Sequence, residues 1–138
     1  NEAHKSMSEH IFWAVIRHDH EALLKILREE PQEVRALDDH GNTPLNWAAG
    51  VENSQALQAL AAAGADLNHG NNIGATPLME AAHRNNLTIL KLLLAAGAQV
   101  DAVNADMRTA LMLRAPSGPH HAVVKALLEA GARPDVAD

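Results

Sequence analysis

Apolar residues fall along this chain in short clusters at helical spacing, each followed by a polar or glycine-containing turn. Ile11, Phe12, Val15 and Ile16 form one stripe ending near Arg17, and the stretch HEALLKIL at residues 20–27 forms the next. Leu57 and Leu60 recur further on, then Leu90, Leu93 and Leu94, then Leu127 and Leu128. Separations of three and four residues place such side chains on one face of an α-helix, so the pattern predicts a chain of short helices. Gly64 and Gly97 close two of these clusters, as glycines that enter the left-handed region at helix ends do.

The clusters repeat. Residues 41–50 read GNTPLNWAAG and residues 74–83 read GATPLMEAAH, and residues 38–70 align with 71–103 without a gap at a period of 33. Thr43 and Thr76 stand where N-caps are needed, and Pro44 and Pro77 follow at the first helical position, where a missing N–H costs nothing. The paired alanines Ala48-Ala49 and Ala81-Ala82 are small enough to let neighbouring helices approach closely. Ser54 and Asn86 are the expected caps of the second helices.

A degenerate copy runs from Asn104 to Asp138. Thr109, Leu111 and Leu127-Leu128 hold the frame, but Met107 replaces the turn glycine, Ala110 replaces proline, and the loop PSGPHH adds one residue. Arg114 falls on a paired-alanine position that cannot bury a charge cheaply, so this helix is expected to end early with Arg114 directed outward. Upstream, Ser6 and Glu9 have capping-box spacing. Pro31-x-x-Val34 then leads into the turn at Asp38, with Val34 in register with Leu67 and Val100.

The period of 33 and the frame Gly-x-Thr-Pro-Leu-x-x-Ala-Ala resemble the ankyrin repeat. The resemblance covers the chain after its first five residues and implies an all-α solenoid of about four helix–turn–helix units joined by short hairpin-like turns. The expected division is an N-terminal capping repeat at 6–37, repeats at 38–70 and 71–103, and a degenerate C-terminal capping repeat at 104–138. Where the family has His after Leu, this chain has Asn46 and Met79, so the imidazole hydrogen bond often made there is not expected.

Composition narrows the function. Hydrophobic residues make up 47% of the chain and aromatic ones 2%, which suits closely packed, alanine-rich helices rather than a β-sandwich. Eleven Lys and Arg against a formal net charge of -6 argue against nucleic acid as partner. The absence of cysteine removes disulfides, thiolate zinc sites and thiol nucleophiles. No run reaches the roughly 20 apolar residues of a membrane span. A soluble chain is expected, cytoplasmic or exported after signal-peptide removal, and a start at Asn1 rather than Met is expected of a processed or trimmed product.

Nine histidines raise a metal reading, but the close pairs His18-x-His20 and His120-His121 lie in turns at opposite ends, and zinc needs three or four convergent ligands. Asp19 between the first pair could complete only a weak surface site. Ser6 and Ser54 have capping explanations, and Ser117 sits in a Pro-Gly loop without the strand–elbow–helix context of a hydrolase. The glycines are spaced by the repeat, not by a nucleotide loop. The expectation is therefore no enzyme, no cofactor and no metal.

The resemblance instead implies that a protein partner is gripped by the concave face of first helices and by the turn tips. The positions placed there are Asp39, His40, Asn42, Trp47, Gly50 and Val51, then Asn72, Ile73, Ala75, Glu80, His83 and Arg84, then Asp106, Met107, Arg108 and Leu113. Trp47 has two readings, an anchor for the partner or a filler of the groove against a neighbouring helix. Ile73 at a tip has no core to enter. The acidic charge favours a basic partner by steering. The chain is expected to be monomeric and to act as adaptor, inhibitor or neutralising partner. A self-associating array, supported by exposure of Met112, Leu113 or Val136, is the alternative.

Overall fold

In the computed structural model of the protein, residues 7–113 and 121–132 are described. Seven α-helices appear among them: α1 (Met7–Ile16), α2 (His20–Glu29), α3 (Pro44–Gly50), α4 (Ser54–Ala62), α5 (Pro77–His83), α6 (Leu87–Ala95) and α7 (His121–Glu129). A 3-10 turn, Pro31–Arg35, follows α2. The expected capping box at Ser6 lies outside the described residues.

A seven-residue helix has too little propagation to offset its nucleus, so α3 and α5 depend on their caps and their packing. The caps are nearly superimposable. Thr43 Oγ1 accepts from Asn46 N at 3.2 Å and Thr76 Oγ1 from Met79 N at 3.3 Å, with proline next in each. Asn46 returns the bond, its Oδ1 accepting from Thr43 N at 3.0 Å while its Nδ2 donates to His69 O at 3.1 Å. An amide thus performs both halves of the reciprocal cap and ties α3 to the following turn. Met79 offers only its thioether, 3.5 Å from Thr76 N.

The second helices are capped by Asp19, Asn53 and Asn86, which accept from Ala22 N, Ala56 N and Ile89 N. Asn53 therefore takes the role expected of Ser54, which is the first residue of α4. The residue before each cap, His18, Glu52 or Asn85, has a φ near +57°, the left-handed value that turns the chain between antiparallel helices. Asn53 Nδ2 also donates to Val15 O at 3.0 Å, binding the second helix pair to the first.

Helices α1, α3 and α5 pack in succession, and α2, α4, α6 and α7 do the same behind them. The core lies between the two rows. Ala48, Ala49, Ala81 and Ala82 are fully buried at the close contacts, while Leu45, Leu57, Leu60, Leu78, Leu90 and Leu93 fill the wider ones. Each such leucine contributes about 1.5–3 kcal/mol on burial. Val34 is buried as part of this register, with Leu67 and Val100 half-buried.

Beyond Asn104 the frame holds only in part. Thr109, Ala110 and Leu111 are buried where their counterparts are, but residues 110–113 form a turn, with Met112 N and Leu113 N both donating to Thr109 O. Thr109 Oγ1 is buried without a hydrogen-bond partner among the described residues. The outward course expected of Arg114 lies outside the described residues.

Candidate protein-binding face

The turn tips are built by one device repeated three times. Asp38 Oδ1 accepts from His40 N and Asn42 N, both at 2.9 Å. Asn71 Oδ1 accepts from Ile73 N and Ala75 N, both at 3.0 Å, and Asn104 Oδ1 from Asp106 N and Arg108 N at 2.8 and 3.0 Å. Backbone bonds then join one tip to the next: Asn72 N to His40 O and Ala105 N to Ile73 O, each 2.9 Å. Gly41 and Gly74 adopt φ of +77° and +79°, and a Cβ on Gly74 would stand 2.7 Å from Ala105 N. The tips are thus held in place by side-chain and backbone bonds together.

Exposed on these tips are Asp39, His40, Asn72, Ile73, Asp106, Met107 and Arg108, with Ile73 at 65% exposure. Met107 holds φ +62° where the preceding tips have glycine. His83 and Arg84 are exposed at the end of α5, and Asn42 and Glu80 are half-buried. Trp47, Val51 and Leu113 are also half-buried, and each packs in part against the core.

Trp47 satisfies both of its readings in part. Its ring rests on the core and its Nε1 donates to Asp38 Oδ2 at 2.7 Å. The ring also walls a groove of about 270 Å³ between α3 and α5. Asn42, Gly50, Val51, Ala75, Glu80 and Arg84 line the same groove, so seven positions separated along the sequence converge on one surface. Glu80 Oε2 accepts from Arg84 Nε one helical turn on, half-exposed at the rim.

Asp38 was not among the expected site residues, yet it organises this corner. Burial raises its carboxyl pKa, but hydrogen bonds from Asn42 N, Trp47 Nε1, His40 N and the Asn42 side chain outweigh that, leaving it below the ordinary carboxylate value. The recurrence of Asp or Asn at 38, 71 and 104 was the available sequence signal. Trp13 was also missed. It is 44% exposed on α1, and the Arg17 guanidinium lies 4.7 Å from its ring centroid.

His18 is exposed at its turn, His20 opens α2, and Asp19 is occupied as that helix's cap. Among the described residues no three His, Cys, Asp or Glu side chains converge. His121 opens α7, and His120 and Ser117 lie outside the described residues. No described helix is long and apolar enough to cross a membrane.

No curated protein sequence matches this chain. A family model for ankyrin repeats, three copies, matches residues 51–138. Ankyrin repeats are in general protein–protein interaction modules, and the family is typically non-enzymatic. With that match extending over more than half its length, and the Thr-Pro-Leu caps, paired alanines and tied tips on the described helices, the chain belongs to the ankyrin-repeat family.

Proposed function

We propose that this protein binds a folded protein partner through α3, α5 and the tips around residues 39–42, 72–75 and 105–108. The observation that carries the reading is the groove between α3 and α5, where a half-buried Trp47 meets the Glu80–Arg84 pair beside tied tips. A large aromatic held by packing and by an indole hydrogen bond loses little freedom when a partner covers it, the property of residues that dominate interface energies. Leu113 contributes at the far end of the same row. The chain divides into four units, 6–37, 38–70, 71–103 and 104–138, and acts as a monomer. Capture inhibits or neutralises the partner.

The test is retention of proteins from the native source on the intact chain and on a Trp47→Ala, Ile73→Asp, Glu80→Arg variant of matched helicity. A protein held by the intact chain and lost with the variant supports the reading and supplies the activity to assay for inhibition. Equal retention by both contradicts it.

Exposed Val103, Met107 and Leu128 in the last part of the chain favour self-association as the second reading. Met112 and Leu113 are half-buried and do not add to it, and Val136 lies outside the described residues. Light scattering at two concentrations separates this reading from the monomer.

A further inference from the structure

The first helices carry one position in three chemical settings. Trp13 on α1, Trp47 on α3 and Glu80 on α5 are equivalent, since Arg17 N, Val51 N and Arg84 N close the same helical turn onto their carbonyls. The residue four further on is therefore Arg17, Val51 or Arg84. On α1 the Arg17 guanidinium stacks on Trp13. On α5 Arg84 pairs with Glu80. On α3 the aromatic is present but its companion is Val51, which supplies no charge.

Trp47 differs from Trp13 in a second respect. Its Nε1–H donates to the Asp38 carboxylate, which draws electron density onto the ring and deepens the negative potential over its face. The groove in front of it holds Glu80, whose Oε2 is engaged by Arg84 Nε. Glu80 and Arg84 cancel in charge, and Asp38 beside the indole leaves the corner net negative. A planar cation fits both the ring face and the carboxylate.

Resting on the protein-binding reading above, we propose that the α3–α5 groove receives an arginine side chain of the partner. Its guanidinium stacks on Trp47 as Arg17 does on Trp13, with its edge toward Glu80. Selectivity is for a positive, planar head group on a basic patch of a folded protein. Val51 in place of an arginine is what leaves the ring face to an incoming cation.

The test follows the indole N–H signals of the whole chain by NMR during titration with N-acetyl-arginine amide at constant ionic strength. N-acetyl-citrulline amide, neutral and nearly isosteric, is the control, and Trp13→Phe assigns the two indoles. The expected result is a saturable shift of the Trp47 signal with the arginine compound and none with the citrulline one. Glu80→Gln should weaken apparent affinity about two- to fivefold, the scale of one exposed charge contact. Val51→Arg, checked for helicity, supplies the cation within the chain and should abolish the response. No shift with arginine, equal shifts with both compounds, or an undiminished shift in Val51→Arg overturns the assignment. The protein-binding reading would then stand or fall on the retention experiment alone.

Discussion

Thr76 and Thr109 occupy the same place in two successive copies of the repeat and meet opposite fates. Thr76 is followed by Pro77, its hydroxyl caps α5, and seven residues of helix follow. Thr109 is followed by Ala110, its hydroxyl is buried without a partner among the described residues, and residues 110–113 form a turn instead of the first turn of a capped helix. Proline at the first helical position fixes φ and spends no hydrogen bond, so the cap hydroxyl finds its N–H already in line. Without it the turn closes on the Thr109 carbonyl, with Met112 N at 3.1 Å, and the hydroxyl loses its donor. The Thr-Pro-Leu signature is thus a device for starting a helix too short to start itself.

The largest way to break the contrast is at the tips. Gly74→Ala puts a Cβ against the Asn104 and Ala105 backbone at a left-handed φ, and should cost more than about 2 kcal/mol in chemical denaturation. Next come the caps: Thr76→Val should cost about 1–2 kcal/mol by removing a used acceptor. Thr109→Val should be neutral or stabilising by up to about 1 kcal/mol, because it removes a buried hydroxyl that bonds to nothing described. A cost at position 109 equal to that at 76 would contradict the difference.

Met107→Gly should raise stability by about 0.5–1 kcal/mol, since left-handed strain is relieved against a smaller loss of chain entropy. The last effect is electrostatic. Asp38→Asn should cost about 1 kcal/mol: an amide oxygen still accepts from both turn N–H groups, as Asn71 and Asn104 do, but the amide NH2 cannot accept from Trp47 Nε1 as Oδ2 does. The folded pKa of Asp38 is lowered, so its contribution is full above the ordinary carboxylate value near pH 4 and fades as pH falls through the folded value. The difference between the two proteins should therefore be constant from pH 7 to about 5 and vanish in stronger acid.

Features written as residue type at fixed spacing were legible in the sequence. Pro44 and Pro77 begin helices as expected, Asn86 caps α6, and Gly64 and Gly97 turn left-handed at +93° and +101°. What escaped depended on competition or partnership. Ser54 is a good cap residue in isolation, but counting back one period from Asn86 reaches Asn53, and the left-handed Glu52 before it sets that register. Asn46 does not look like histidine, yet its amide has an acceptor and a donor and performs the cap and the cross-link together. At the candidate site, position in the repeat singled out Trp47 and Glu80 but not Asp38, because its role follows from four donors that meet only in the folded chain.

The account rests on α3, α5 and the tips as the face that meets the partner. Hydrogen–deuterium exchange on the complex captured from the native source, compared with the free chain, tests this most directly. The account predicts added protection concentrated in residues 39–51 and 72–84, with α4 and α6 unchanged. Protection confined to α7, or to α4 and α6 with α3 and α5 unaltered, would contradict it.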